Sequence, residues 1–135
     1  MEIQIILNRI QCKGCGEVLT SYNRHDYKTC GCENETMVDG GTDYQRYGGK
    51  DLSLVDSSST IYLSDDHMMN RSAAHWGNRG KDGKSSLSYK SIADMSNDHI
   101  INILLDMGGR IAPCIEEIMK KEVEYRFTNK ITIDD

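Results

Sequence analysis

The stretches Cys12-Lys13-Gly14-Cys15-Gly16 and Cys30-Gly31-Cys32 decide the fold of the first part of this chain. Two pairs of closely spaced cysteines are typical of a structural zinc site, where four thiolates surround one ion as a tetrahedron. The glycines inside and beside the pairs let the backbone turn tightly around such an ion. The spacing therefore predicts a zinc-ribbon-like module in which Zn²⁺ is held by Cys12, Cys15, Cys30 and Cys32.

Disulfides and a redox pair are the rival interpretations of these cysteines, and both depend on the compartment. Residues 1–7 lack a basic leader, a long apolar core and a cleavage site, which predicts a protein of the reducing cytoplasm, where disulfides are disfavoured. A redox pair needs Cys-x-x-Cys at the start of a helix, and the residues around Cys12 do not have that pattern. His25, between the two pairs, is an alternative ligand or a hydrogen-bond partner of a thiolate.

Four thiolates would fill the coordination sphere, which predicts an ion that organises the fold and does not catalyse a reaction. Cys114 lies far along the chain in an apolar helical stretch. We expect it to be a small buried side chain and not a metal ligand.

Composition limits the remaining possibilities. The 135 residues are enough for one ordinary domain or two very small ones, and 38% hydrophobic residues predict a modest core to which a metal cross-link would matter. The net charge is −5, and residues 1–50 hold 6 basic and 7 acidic residues, so a basic excess typical of a general nucleic-acid binder is missing. Apolar runs stay well short of the roughly 20 residues that span a bilayer, which predicts no membrane insertion.

The pattern along the chain predicts an α+β protein with two modules. Residues 1–49 are expected to form antiparallel hairpins pinned by zinc, with strands at 2–10, 17–22 and 36–38. Residues 50–135 are expected to form a small α+β or helical module. It would begin with a strand pair, 52–55 and 60–63, followed by a helix that Ser64-Asp65-Asp66 starts and that runs through Ala74. Residues 77–88 are predicted to be an exposed loop anchored by Trp76.

The last third predicts a helical hairpin. One helix opens after Ser96 and runs to Met107, where Gly108-Gly109 breaks the pattern, and a second has Pro113 in its first turn. Apolar residues recur on one face of the second helix from Ile111 to Val123. These faces are expected to pack together as core, and any surplus apolar surface could form a homodimer.

Several of these motifs together resemble a family of small, uncharacterised bacteriophage proteins. They are Cys12–Gly16, Arg24-His25-Asp26, Cys30–Cys32 and Val38-Asp39-Gly40-Gly41-Thr42-Asp43-Tyr44-Gln45-Arg46. The resemblance covers roughly residues 10–49. It implies a phage origin, and it implies that the one-residue spacing of Cys30 and Cys32 is a regular part of the family's pattern. Residues 95–102 also resemble a short segment found in other small phage proteins. The family supplies no established reaction.

Three hypotheses of function follow. The first is an accessory protein that binds and modulates or inhibits a host or defence-system macromolecule, most simply a protein, since exposed tyrosines and arginines make effective contacts. The second is nucleic-acid binding through the ribbon by Arg9, Lys13, Arg24, Lys28 and Arg46 with interleaved tyrosines. The third is a small hydrolase whose histidine and carboxylate meet only on folding. The candidate partner-binding residues are Tyr22, Arg24, His25, Tyr27, Tyr44, Arg46 and Tyr47.

The residue order favours binding over catalysis, because it contains no phosphate-cradling loop, serine elbow or paired histidine motif. Arg24-His25-Asp26 places an imidazole next to a carboxylate, but neighbouring side chains of a strand point to opposite faces. A structural role is therefore expected, with Arg24 and Asp26 paired to Asp43 or Arg46. Asp39 is expected to cap the turn at Gly40-Gly41.

Overall fold

The computed structural model describes residues 4–79 and 83–134, and the chain divides into two compact units, Met1–Leu63 and Ser64–Asp135. Antiparallel strands build the first unit and three helices dominate the second, which confirms the predicted α+β class. The first unit extends beyond the predicted boundary at residue 49. It does so because two short strands after that residue pair with the first strand of the chain.

Two small sheets form the first unit. The strands are β1 (Ile5–Cys12), β2 (Val18–Ser21), β3 (Lys28–Thr29), β4 (Met37–Asp39), β5 (Arg46–Gly48), β6 (Val55–Asp56) and β7 (Ile61–Tyr62). In the first sheet β1 pairs antiparallel with β2, β6 and β7, and in the second sheet the order is β3-β4-β5. The predicted strand at residues 2–10 is confirmed from Ile5 onward, and residues 1–3 lie outside the described part of the chain.

The predicted strand pair at 52–55 and 60–63 is wrong in its partners. Leu52–Leu54 is a 3-10 turn, β6 pairs with Gln11 and Cys12 near the end of β1, and β7 pairs with Ile5 and Leu7 near its beginning. The backbone N–H and C=O groups along the other side of β1 need partners. Pairing β6 and β7 with β1 satisfies these groups, whereas a separate hairpin of the two short strands would leave them without partners.

The core of the first unit includes part of the cysteine cluster. Its buried members are Ile10, Cys12, Leu19, Cys30 and Val38, and Cys32 and Val55 pack against them. The sulfurs therefore occupy space that side chains such as Val or Leu fill in a larger domain, in keeping with the small apolar content of the chain.

The second unit consists of three helices and one hairpin. They are α1 (His67–Ala73), β8 (His75–Asn78), β9 (Ser88–Ser91), α2 (Asn97–Met107) and α3 (Pro113–Asn129). The Asp66 carboxylate accepts the Met68 N–H at the start of α1, and the Ser96 hydroxyl accepts the His99 N–H at the start of α2. Both caps satisfy amides that a helix leaves open. α2 and α3 pack against each other, as the predicted helical hairpin requires.

The segment predicted to be an exposed loop, residues 77–88, contributes instead to a hairpin at both ends. β8 pairs with β9, with Trp76 opposite Lys90 and Asn78 opposite Ser88. Residues 80–82 of that segment lie outside the described residues. The side chains of β9 alternate between exposed and half-buried, but Tyr89 is the one aromatic or apolar residue among its four, which explains why the sequence pattern does not reveal this strand.

A buried carboxylate links the helices of the second unit. Glu122 is fully buried and lies 2.7 Å from Arg71 Nε, 2.7 Å from Arg126 Nε and 2.9 Å from His67 Nε2. Burial alone would raise the pKa of Glu122, but the hydrogen bonds from Arg71, Arg126 and His67 hold it below its usual value. Each oxygen of the Glu122 carboxylate therefore has an arginine partner, Arg71 at Oε1 and Arg126 at Oε2.

Candidate metal centre

The structure brings the four predicted ligands together at one point. The sulfurs of Cys12, Cys15, Cys30 and Cys32 all lie within 4.8 Å of one another. Cys12 Sγ is 3.6 Å from Cys32 Sγ, and Cys30 Sγ is 3.5 Å from Cys32 Sγ. Zinc–sulfur bonds of about 2.3 Å in a tetrahedron place sulfurs about 3.8 Å apart, so the cluster has the dimensions of a four-thiolate metal site.

Both turns direct backbone N–H groups at the sulfurs. Cys12 receives the amides of Gly14 and Cys15, and Cys15 receives the amide of Glu17. In the second turn Cys30 receives the amide of Cys32, and Cys32 receives that of Asn34. A donor two residues after each cysteine is therefore common to both pairs, although one pair is Cys-x-x-Cys and the other Cys-x-Cys. Such donors stabilise negative charge on thiolates.

Electrostatics within the cluster favours a cation among the sulfurs. The Thr36 hydroxyl, followed by the Cys15 amide, lowers the pKa of the Cys12 thiol to about 6. At Cys32 the Asn34 amide acts in the same direction, but the neighbouring sulfurs of Cys30 and Cys12 outweigh it and raise the pKa to about 12. Negative charges this close oppose each other's ionisation, and a divalent ion bound by all four would remove that opposition.

The donor set fits a metal ion, and zinc suits it chemically because four sulfurs in a tetrahedron are a preferred zinc environment. The cluster that the described residues form consists of the four cysteines alone. His25 is not part of it, since its Nδ1 lies 3.3 Å from the Tyr44 hydroxyl. Cys114 lies in α3 of the other unit and is half-buried, less than the full burial that its sequence context predicts.

Two polar residues that the sequence analysis did not single out hold the second turn. Asn34 is buried, donates from its side chain to the Thr36 hydroxyl at 2.7 Å, and accepts the Asp51 N–H at 2.7 Å. Thr36 is fully buried and also accepts the Cys30 N–H through its carbonyl at 3.0 Å. The contact of Asn34 with Asp51 spans 17 residues, so the local sequence carries no signal for that part of its role.

The candidate partner-binding residues divide into exposed and half-buried groups. Tyr27 and Tyr47 are 54% and 44% exposed. The side chains of Arg24 and Arg46 are also largely exposed. Tyr22 and Tyr44 are half-buried, and His25 is exposed.

A shallow groove of about 460 Å³ lies beside the second cysteine turn. It is lined by Tyr27, Thr29, Cys30, Gly31, Cys32 and Glu35. The exposed Tyr27 therefore lines the same groove as Cys30 and Cys32 of the metal centre.

The Arg24–Asp26 and Asp39–Arg46 segments contact each other through Arg24 with Asp43 and His25 with Tyr44. The Asp39 carboxylate does not cap the Gly40-Gly41 turn as predicted, because its Oδ2 accepts from Arg46 Nη2 at 2.9 Å and from the Tyr44 hydroxyl at 3.3 Å. The Asp39 side chain is buried, and the ion pair with Arg46 offsets part of its lost hydration at Oδ2, whereas Oδ1 has no hydrogen-bond partner among the described residues. The predicted pair of Arg24 with Asp43 forms at 3.9 Å, whereas Asp26 pairs with Lys28 at 2.8 Å.

Residues 4–49 match a family described as a domain of unknown function, DUF7695. The match covers about a third of the chain and contains all four cysteines together with the Arg24–Asp26 and Asp39–Arg46 segments. No curated protein and no solved structure matches the chain. The family match thus agrees with the extent of the resemblance seen in the sequence and assigns no activity to it.

Within residues 4–79 and 83–134, no helix combines the length and the apolar character required to cross a bilayer.

Proposed function

We propose that this chain is a bacteriophage accessory protein that binds a macromolecule of the host or of its defence systems, with a structural zinc ion in the N-terminal unit. The observation that carries the proposal is the cluster of four sulfurs within 4.8 Å, each receiving a backbone N–H. A closed four-thiolate site leaves no position for a substrate, so the ion would hold the binding surface and take no part in a reaction.

The surface around the centre supports a protein partner. Tyr27 and Tyr47 are exposed, Tyr27 directly before β3 and Tyr47 within β5. Aromatic and arginine side chains dominate the energy of protein contacts. The partner would bind in the cytoplasm, where reduced thiols persist. Nucleic acid remains the alternative partner, with Arg24 and Arg46 contacting phosphate, and it would reveal itself by strongly salt-dependent binding.

Metal analysis tests the first half of the proposal. Protein purified under reducing conditions should contain one zinc per chain, and Cys12→Ser should lose it while Cys114→Ser keeps it. Iron in place of zinc would correct the identity of the ion, because four thiolates also suit iron. Absence of any transition metal from folded wild-type protein would contradict the proposal.

Binding variants test the second half. Tagged protein recovered from infected cells should carry one stoichiometric partner, and Tyr27→Ala and Tyr47→Ala should each weaken its affinity about 30-fold, the cost of a hot-spot residue. Tyr62→Ala is the matched control, since Tyr62 is 43% exposed in the same unit but lies in β7. Tyr62→Ala should bind the partner as wild type does. If Tyr27→Ala and Tyr47→Ala bind with the same affinity as Tyr62→Ala, this surface is not the binding site.

A homodimer through the helices of the second unit stays a prediction. Phe127 and Leu105 are 87% and 77% exposed, more than single-chain packing requires of such side chains. Light scattering of the wild type and of Phe127→Ser should give a dimer and a monomer. A wild-type monomer at high concentration would contradict this prediction.

A further inference from the structure

His25, Tyr44 and Asp39 form a hydrogen-bonded row that a binding protein does not need. The Tyr44 hydroxyl lies 3.3 Å from His25 Nδ1 and 3.3 Å from Asp39 Oδ2. The row runs from a buried carboxylate to an exposed imidazole. Both separations are long for hydroxyl hydrogen bonds, as is common in catalytic groups before a substrate tightens them.

The chemistry of the row fixes where the protons lie. The Asp39 carboxylate only accepts, so Tyr44 uses its single proton to donate to Asp39, and its oxygen accepts from His25 Nδ1–H. The Nε2 atom then carries the lone pair of the imidazole ring. Arg46 donates to the same Asp39 oxygen from 2.9 Å, so its positive charge balances the carboxylate at the buried end. The exposed end of the row is therefore a proton acceptor.

The backbone holds this row rigidly. His25 has a φ of 64°, a left-handed conformation that is uncommon outside glycine and that often marks functional sites. The Ser21 hydroxyl donates to the Asp26 carbonyl at 2.7 Å and accepts the Gly41 N–H at 3.0 Å, which joins the turn carrying His25 to the turn following Asp39. A side chain at Gly41 would place its Cβ 2.4 Å from the Asn23 carbonyl carbon, so only glycine permits this approach.

The surroundings indicate the class of substrate. The side chains of Arg24 and Arg46 are 67% and 66% exposed. Arg24 precedes His25 in the sequence and Arg46 contacts Asp39, so both lie where they could bind a phosphate group. Tyr27, two residues after His25, offers a ring on which a base can stack. RNA fits a single proton acceptor better than DNA does, because its 2′-hydroxyl supplies the nucleophile next to the phosphate.

We propose that His25 is the general base of a site that cleaves single-stranded RNA, with Tyr44 and Asp39 as positioning residues. His25 Nε2 takes the proton of a 2′-hydroxyl, the 2′-oxygen forms a bond to phosphorus, and the bond from phosphorus to the 5′-oxygen breaks. The 5′-oxygen takes a proton from water, and the imidazolium returns its proton to the hydroxide so formed. The products are a 2′,3′-cyclic phosphate and a 5′-hydroxyl. This activity goes beyond the binding role proposed above and uses none of the cysteines.

The test uses the full chain with a random-sequence pool of single-stranded RNA and a DNA pool of the same length. Wild type should cleave RNA to cyclic-phosphate ends, detected by mass spectrometry, and leave DNA intact. His25→Gln should lower the rate about 10²- to 10⁴-fold, the usual contribution of a general base. His99→Gln, a histidine of the other unit, is the control and should cleave as wild type does.

A second variant separates positioning from folding. Tyr44→Phe keeps the ring but removes the hydroxyl, and it should lower the rate about tenfold, less than loss of the base itself. Nitrogen-15 NMR of the imidazole should show the Nδ1–H tautomer in wild type and a shift towards Nε2–H in Tyr44→Phe. Metal content should be equal in all variants, so failure here is distinguishable from failure of the zinc proposal.

Three results would overturn the proposal. They are intact RNA with folded, metal-loaded wild type, an unchanged rate in His25→Gln, and equal cleavage of the DNA pool. A tautomer unaffected by Tyr44→Phe would remove Tyr44 from its positioning role.

Discussion

The two units of this chain solve the same problem of a small core in opposite ways. In the first unit Cys12 and Cys30 belong to the buried core and Cys32 packs against it. Its strands are short, and a metal ion would hold them together. The second unit buries a conventional apolar set on its helices, including Ile100, Ile118 and Met119. It also places one buried carboxylate, Glu122, among three charged or ionisable groups. The proposed zinc ion would therefore stabilise the first unit, whereas the second is held by contacts within the chain.

The largest expected effect comes from removing one buried sulfur. Cys30→Ser should abolish metal binding and unfold the first unit, because structural zinc contributes about 10–16 kcal/mol to the folding of small zinc domains. The second unit should keep its cooperative transition. Trp76 is the single tryptophan of the chain and lies in the second unit, so its fluorescence reports on that unit alone.

The control for that experiment is Cys114→Ser, which should keep the metal and the circular dichroism of the wild type. Simultaneous loss of both units in Cys30→Ser would contradict the idea that each has an independent source of stability.

A smaller effect is expected from breaking the buried charge cluster of the second unit. Glu122→Gln keeps the shape of the side chain but leaves Arg126, which is 3% exposed, and Arg71 without a counter-charge. Removing one partner of a buried ion pair costs about 3–5 kcal/mol. Denaturant unfolding followed by Trp76 fluorescence should show this loss, whereas the exposed Glu117→Gln should stay within about 0.5 kcal/mol of the wild type.

The pH dependence of the second unit should carry the signature of the same residue. The pKa of Glu122 is held below its ordinary value of 4.5 in the folded state, so its contribution is fully present above that value. Stability should fall as the pH drops through the folded-state pKa, where the carboxylate takes up a proton. The melting temperature of the second unit, followed by Trp76 fluorescence, should therefore decline on acidification in wild type and decline less in Glu122→Gln. Equal slopes for the two proteins would contradict this assignment.

A matched pair of glycine variants gives the smallest predicted effect and compares turns of the two units. Gly41 and Gly109 have φ angles of 56° and 82°, so alanine is strained at both. Only at Gly41 would the added Cβ meet the backbone of Asn23, whereas Gly109 has nothing within 4 Å. We expect Gly109→Ala to cost about 1 kcal/mol and Gly41→Ala a further 1–3 kcal/mol, measured by thermal unfolding. Equal costs would show that the close approach at Gly41 is not a constraint.

Local sequence signals predicted the features that depend on short spacing. The two cysteine pairs, the caps Asp66 and Ser96, and Pro113 at the start of α3 all act within a few residues, and the structure places each as expected. The α+β class followed from the same local periodicities.

Features that join distant residues could not be read from the sequence. β6 and β7 were assigned to each other because they are neighbours in the chain, whereas both pair with β1. Glu122 lies 51 residues from Arg71, so the residues around it in the sequence do not mark it as part of a buried charge cluster. Asp39 is a different case, because its partners Tyr44 and Arg46 are only five and seven residues away and are brought to it by the β4–β5 hairpin, whereas the sequence analysis predicts a cap of the adjoining turn. Each of these outcomes is decided by tertiary packing, for which short-range patterns carry no information.

The pairing of β6 and β7 with β1 matters for anyone who shortens this protein. A fragment that stops at residue 49, where the family match ends, would lack both strands and leave one flank of β1 with open hydrogen-bonding groups. Bare flanks of this kind attract foreign strands and lead to self-association. The smallest soluble fragment of the cysteine-bearing half should therefore end at Leu63.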